Sequence, residues 1–297
     1  MWWQSLTRFT LETGPNSLIQ ASDLYIGNYW SLVQKLTVEA ARQGLEPNLW
    51  IISAGYGLIS ATDRVIPYSA TFTRRDADSV TGKPTETNPS EAWWNELTHL
   101  NLLDSDNPRS LEGLIGTYSK DYFLVVASSE YLNAIQSDLV RGLHILEKQG
   151  ELVLISSKTA QISEELTPNY ISTDARLLCG PNCVTECNIH LLGRNVRTSI
   201  GVSLAKTLLG NLRINGGFSA ASFRKEVMNA VKKSPELFVH KRIPMSDLEV
   251  KSFVQRELTA MPSVSATQLL KKLRSQGRAC EQKRFRELYL EVKQESK

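Results

Sequence analysis

Four short apolar runs recur along the chain, and the stretches between them have helical spacing. The runs are RFTL (8–11), LWIIS (49–53), YFLVVAS (122–128) and ELVLISS (151–157). Runs of this length, alternating with helical segments, predict an α/β fold with a mostly parallel sheet. Between the first two runs, Trp30, Val33, Leu36 and Ala40 share one helical face, and Gly44 supplies the stop. The polar, breaker-rich stretch 73–90 reads as a surface loop, after which Ser90 caps a helix carrying Trp93 and Trp94. Those two indoles are expected to anchor the helix against the core rather than to stack on a base.

Charge divides the chain more sharply than composition does. Residues 1–190 carry 13 Lys/Arg against 22 Asp/Glu, while residues 191–297 carry 21 against 9, so a net charge of +3 hides a strongly cationic carboxyl-terminal part. Such a concentration is the footprint of a phosphate-backbone binder, or else a solvated basic surface. Near the end, Ser246 and a Ser265/Gln268 capping box open two helices, and a Gln-Gly turn leads to a third. Helix, short turn and basic helix give a helix-turn-helix or winged-helix pattern.

The expected organisation is an α/β catalytic domain at 1–190, a basic helical extension at 191–245 and a small all-α DNA-binding domain at 246–297. Arg194, Arg197, Lys271, Lys272, Arg278, Lys283, Arg284 and Arg286 are the candidate DNA contacts. No apolar run reaches the ~18 residues of a membrane span, and the first residues, MWWQSLTRF, lack a signal-peptide pattern. A cytoplasmic location without membrane contact is the expectation.

The second run ends in SAGYGLIS (53–60). Gly55 and Gly57 permit a tight turn or a close approach to a ligand, although the third glycine of a dinucleotide fingerprint is replaced by Ser60. In open α/β sheets ligands lie beyond the carboxyl ends of strands, where Ser53, Tyr56, Ser128 and Ser129 would gather. An ordinary strand-to-loop turn is the competing reading. Asp23 and Tyr25 precede the first long helix. Asp23 is either its N-cap or, with Tyr25, part of the same pocket. Tyr68, Arg74 and Arg75 follow on the segment after the glycines and join Gly55 and Gly57 as candidate substrate contacts.

ASDLYIGNYW (21–30), followed after a helix by WIISAGYGLISATDRVIPYSATF (50–72), resembles the YaaA-like group of proteins. The matching positions are Leu24, Tyr25 and Gly27, then Ser53, Ala54, Tyr56, Gly57, Leu58, Asp63, Pro67 and Tyr68. A related module occurs in archaeosine synthase. Together with SATQLLKKLRSQGRACEQKRFRELY (265–289), the pattern is most similar to the DpdC family of bacterial systems that place 7-deazaguanines in DNA. That resemblance implies hydration of the nitrile of 7-cyano-7-deazaguanine in DNA to 7-amido-7-deazaguanine, with such DNA and other proteins of the same modification system as partners. Asp23 is then the candidate base, and Tyr25, Tyr56 or Ser53 a donor to the nitrile nitrogen, with Ser128 in the same catalytic set. A non-enzymatic DNA-binding stress protein and a tRNA-modifying relative are the alternatives. Relatives often carry a Cys-Ser-x-x-Lys segment where this chain has ETGPNSLI (12–19), so no cysteine or lysine adduct is inferred from it.

Cys179, Cys183, Cys187 and His190 crowd into twelve residues and make either a closed, structural Cys3His zinc site or a set of core cysteines. Their spacing matches neither common zinc fingers nor iron–sulfur patterns. Cys280 reads as a packing residue, and His99, His144 and His240 as surface or core histidines. The sequence has no Walker loop, hydrolase nucleophile elbow or HExxH motif.

Overall fold

The computed structural model describes residues 18–74, 76–81, 88–100, 103, 105–147, 151–158, 160–178, 196–234 and 242–295. The chain divides into two compact units, Met1–Glu236 and Leu237–Lys297. The run at 8–11 lies outside the described residues.

The first unit opens with β1 (Ile19–Gln20), a single-turn helix α1 (Ala21–Leu24) and the long α2 (Asn28–Arg42). Gly27, at φ 103°, occupies the N-cap of α2, so Asp23 is not that cap; it lies on α1. Past the other end of α2, Gly44 sits at φ 84° and its N–H closes on the Ala41 carbonyl at 3.0 Å, which is the glycine stop expected from sequence.

β2 (Trp50–Ser53) and β3 (Gly57–Ser60) pair antiparallel, with Ser53 opposite Gly57. The run at 49–53 therefore belongs to a hairpin and not to the parallel sheet expected for it. Ala54, Gly55 and Tyr56 make the turn, and the left-handed backbone of Gly57, φ 76°, lets the chain reverse in so few residues. β4 (Arg64–Val65) then pairs with β1. Two further bonds, from Ala21 N–H to the Asp63 carbonyl (2.8 Å) and Ser22 N–H to the Ala61 carbonyl (2.9 Å), tie α1 to the segment that follows β3, away from the hairpin turn.

α3 (Pro89–His99) is capped by Asn88, which accepts from the Glu91 N–H, so its start precedes the expected Ser90 cap and Ser90 is buried in the first turn. α4 (Leu111–Thr117) follows. The parallel sheet consists of β5 (Tyr122–Val126), β6 (Glu151–Ser157) and β7 (Tyr170–Thr173), in that spatial order, with α5 (Ser129–Ile145) crossing between β5 and β6. Alternation along β6 feeds two cores. Leu152 and Leu154 pack with Leu132, Ile135 and Leu139 of α5, and Val153 and Ile155 pack on the opposite side.

That opposite side is covered by α6 (Val196–Asn215) and α7 (Ala220–Lys233), which contribute Ile200, Leu204, Leu208, Phe223 and Val227. Residues 196–233 thus complete the sheet rather than form a separate basic extension. Their charge signalled an exterior, but their apolar positions close a core, which moves the boundary to 236/237. Asp138, only 1 % exposed, ties α3, α4 and α5 together. It accepts from Trp94 Nε1 (3.0 Å), the Leu111 N–H (2.8 Å) and the Glu112 N–H (3.1 Å), so a buried carboxylate meets the free amides at the start of α4.

The second unit holds β8 (Ile243–Pro244), α8 (Asp247–Ala260), α9 (Ala266–Ser275), β9 (Arg278–Ala279) and α10 (Gln282–Glu295), with β8 and β9 paired parallel. Capping boxes at Ser246/Glu249 and Ser265/Gln268 start α8 and α9. Val250, Phe253, Val254, Leu269, Leu270, Leu273, Phe285, Leu288 and Val292 fill its core, along with the buried Cys280. Among the described residues no helix is long and apolar enough to cross a membrane.

Candidate functional site

The hairpin end gathers three hydroxyls from three separate segments. Ser53 closes β2, Tyr68 follows β4, and Tyr25 sits in the connector between α1 and α2. Tyr68 OH is 2.5 Å from Ser53 Oγ and 2.7 Å from Tyr25 OH. Ser53 Oγ also accepts from the N–H groups of Gly55 (3.2 Å) and Tyr56 (3.0 Å), so the turn itself fixes the first member of the chain. Trp30 holds the third member in place. Its Nε1 donates to the Ser22 carbonyl at 2.8 Å, and its ring lies 5.2 Å from that of Tyr25.

Glycine at position 55 has a concrete cause. A Cβ there would come within 2.5 Å of the Tyr68 ring, which occupies the space a side chain would need, so the close approach is made by Tyr68. Trp93 braces the same turn by donating Nε1 to the Ala54 carbonyl at 2.8 Å, and Trp94 is fully buried. Both indoles are anchors, as the sequence suggested. Arg109 donates to the Tyr56 carbonyl while its buried Nε and Nη1 have no hydrogen-bond partner among the described residues. Asp63 accepts from the Ser60 N–H (2.8 Å), Ser105 Oγ (3.1 Å) and Asn107 Nδ2 (2.7 Å), which secures the far end of the hairpin.

Burial keeps the phenols neutral. It raises Tyr25 above its ordinary value despite hydrogen bonds from Tyr68 and Ser53, and it raises Tyr68 well above, with the Tyr25 phenol adding to the rise. Tyr56 is pushed up to about 12, chiefly by burial. The environment disfavours phenolates near neutral pH, which leaves these groups protonated and able to donate hydrogen bonds.

The candidate residues do not all face this cluster. Tyr56 is 1 % exposed, and its hydroxyl both donates to the Ile66 carbonyl (3.2 Å) and accepts from the Ile66 N–H (3.0 Å), so it is a core residue with a closed polar end. Asp23 is exposed on α1 and makes no hydrogen bond among the described residues. Ser128 is exposed as the N-cap of α5 and donates to Glu130 Oε2 at 3.0 Å. Arg74 is exposed, and Arg75 lies outside the described residues, as do Arg194, Cys179, Cys183, Cys187 and His190. Arg197 falls in the first turn of α6. Among the described residues no group of three or more His, Cys, Asp or Glu side chains could hold a metal.

Tyr131 and Glu130 are additions that the sequence reading missed. Tyr131, from the first turn of α5, stands edge-on to Phe72 with ring centroids 5.0 Å apart, and its phenol is close enough to push Tyr25 and Tyr68 further up. Burial would raise the Glu130 carboxyl, but its own amide, Ser128, Ser129 and the Arg74 charge outweigh that and hold it below its usual value. The amino-terminal turn of α5, just past the end of β5, thus brings the Tyr131 phenol near the hairpin cluster, while the Glu130 carboxylate is held by Ser128 and Ser129 beside Arg74. The strand-end rule that drew attention to Ser128 reaches both residues when extended by one helical turn.

In the second unit the basic candidates separate into two kinds. Lys272 pairs with Glu257 at 2.5 Å, and Arg284 pairs with Asp247 at 2.5 Å and donates to the Met245 carbonyl at 3.0 Å. Lys271, Arg278, Lys283 and Arg286 are exposed and have no ion-pair partner among the described residues. No family model, no curated protein and no solved structure matches this chain.

Proposed function

We propose that the chain hydrates the nitrile of 7-cyano-7-deazaguanine in DNA, giving 7-amido-7-deazaguanine. The observation that carries this reading is the half-buried hydroxyl chain Ser53–Tyr68–Tyr25, formed by the residues on which the resemblance rests. A nitrile carbon accepts water only when negative charge developing on its nitrogen is met by a donor and the attacking water loses a proton to a base. Neutral phenols held in place before the substrate arrives meet the first requirement. Asp23, exposed two residues before Tyr25, is the proposed base. Water oxygen bonds to the nitrile carbon, one carbon–nitrogen π pair moves to nitrogen, and a proton from Tyr25 follows it. The resulting imidic acid shifts its hydroxyl proton to nitrogen and becomes the carboxamide. The proton that Asp23 took from water returns to the Tyr25 oxygen, so no phenolate persists, both groups are restored and one water is added overall.

DNA is held, in this reading, by the free cations Lys271, Arg278, Lys283 and Arg286, with α9 and α10 as the helix-turn-helix pair. The target base leaves the stack to reach the hydroxyls. A structural zinc on Cys179, Cys183, Cys187 and His190 belongs to the same proposal. Purified protein is expected to hold about one equivalent of zinc, and Ser substitution at any of the three cysteines is expected to lower that content. Metal analysis finding none overturns the zinc assignment alone.

The test of the reaction is incubation with DNA containing 7-cyano-7-deazaguanine, digestion to nucleosides and mass spectrometry. Gain of one water on the modified nucleoside is expected. Tight binding with an untouched nitrile points instead to a non-enzymatic DNA-binding protein, and conversion only in tRNA to a tRNA-modifying relative.

A further inference from the structure

Hydrogen-bond accounting at Ser53 sets which way the first bond of the hydroxyl chain runs. Ser53 Oγ receives two backbone N–H groups, from Gly55 at 3.2 Å and Tyr56 at 3.0 Å, which fill its lone pairs. Its proton is then available to Tyr68 OH, 2.5 Å away. A chain running on in the same sense has Tyr68 donate to Tyr25 OH at 2.7 Å, and Tyr25's own proton then has no acceptor among the described residues. Each hydroxyl that accepts a hydrogen bond becomes a stronger donor, so the series strengthens its last member.

Resting on the nitrile-hydration reading, we propose that Tyr68 is a positioning residue that acts only through Tyr25, and that Gly55 is required because Tyr68 fills the place of its side chain. Tyr25 touches the nitrile nitrogen and Tyr68 does not. Tyr68 is suited to this task by its surroundings. Its ring stands edge-on to the buried Tyr56 at 5.2 Å, and a Cβ on Gly55 would lie 2.5 Å from its Cε2 and 2.6 Å from its Cδ2. The backbone at Gly55 is outside the left-handed region, so an alanine there meets no left-handed backbone strain, and the atoms nearest its methyl group are those of the Tyr68 ring. The hydroxyl chain is thereby breakable from two independent sides, at the hydroxyl of Tyr68 and at the space behind its ring.

The experiment is a double-mutant cycle in the full-length chain on DNA containing 7-cyano-7-deazaguanine, with kcat and KM measured separately and thermal unfolding recorded for every variant. Tyr25→Phe is expected to lower kcat on the order of 10²-fold, as loss of a transition-state donor does. Tyr68→Phe and Gly55→Ala are each expected to lower kcat by roughly 10-fold with KM unchanged, the mark of an interaction realised in the transition state. In the Tyr25→Phe background both further changes are expected to be silent, because the residue through which they act has already lost its hydroxyl. Effects that multiply in that background overturn the proposal, and so does a wild-type kcat in both single variants, with the nitrile-hydration reading intact in either case. A wild-type chain that leaves the nitrile unconverted overturns the reading itself and this proposal with it.

Discussion

The hairpin end of the first unit and the basic surface of the second hold their polar groups in opposite ways. At the hairpin, position does the work. Ser53, Tyr68 and Tyr25 are joined hydroxyl to hydroxyl, and the phenols are kept neutral by burial. On the second unit, Lys272 and Arg284 are tied to acidic neighbours while Lys271, Arg278, Lys283 and Arg286 are exposed and have no ion-pair partner among the described residues. A buried network is sensitive to the loss of a single atom and little affected by salt, whereas exposed charges tolerate small changes and respond steeply to salt. Under the proposed function the first region sets turnover and the second sets affinity.

That division breaks most visibly under single-atom changes at the hairpin. Losing the Tyr25 hydroxyl is expected to cost on the order of 10²-fold in kcat while leaving DNA affinity and its salt dependence as in wild type. A parallel loss of affinity, measured by fluorescence anisotropy, would mean that the hydroxyls hold DNA instead of acting on it.

Next in size is the second unit. Replacing Lys271, Arg278, Lys283 and Arg286 together by Ala is expected to make the slope of log K against log salt shallower, by up to about 0.9 for each phosphate contact removed. kcat at saturating DNA should be unchanged. The same change at Lys272 and Arg284 is expected to leave the slope nearly intact and at most to lower thermal stability slightly, since those cations already serve acidic partners. Equal slopes for the two sets of variants would erase the distinction between free and paired cations.

The smallest expected effect is the response to pH. Tyr25 and Tyr68 titrate above the ordinary phenol value, so their donor protons remain in place through neutral pH and are lost only as pH rises through the raised values. A kcat profile should be free of tyrosine titration below about pH 10. A tyrosine-dependent fall in kcat between pH 7 and 9, absent in Tyr25→Phe, contradicts a chain of neutral phenols. Asp174 provides a contrast in the same unit. Bonding to Arg176 holds its carboxyl well below the carboxylate range, and although burial opposes this, Lys158 adds to the lowering. Its contribution to stability is thus complete above the unfolded carboxylate value and lost only as pH falls through the lower folded one.

Local signals were legible in the sequence where local chemistry decides the outcome. The Ser246 and Ser265 caps, the Gly44 stop and the strands within the runs at 122–128 and 151–157 depend on neighbours a few residues away, and each is present in the fold. The hairpin was not read correctly, although LWIIS, a three-residue turn and GLIS contain its signal, because a short apolar run is equally at home in a parallel or an antiparallel pair. The 191–245 segment misled for a different reason. Its lysines and arginines register in a charge count, while the spacing of Ile200, Leu204 and Leu208 reports the face that covers the sheet. At the site, Ser53, Tyr25 and Tyr68 were found by their motif. Tyr131 was not, since only the fold brings the start of α5 to the hairpin.

The most direct measurement of the central claim is conversion in oxygen-18 water. Full-length protein, DNA containing 7-cyano-7-deazaguanine and labelled water should yield a 7-amido-7-deazaguanine nucleoside whose carboxamide carries one oxygen-18, and Tyr25→Phe should form it far more slowly at the same DNA occupancy. A nitrile recovered intact from DNA bound by the wild-type chain, or a product without the label, would contradict the account.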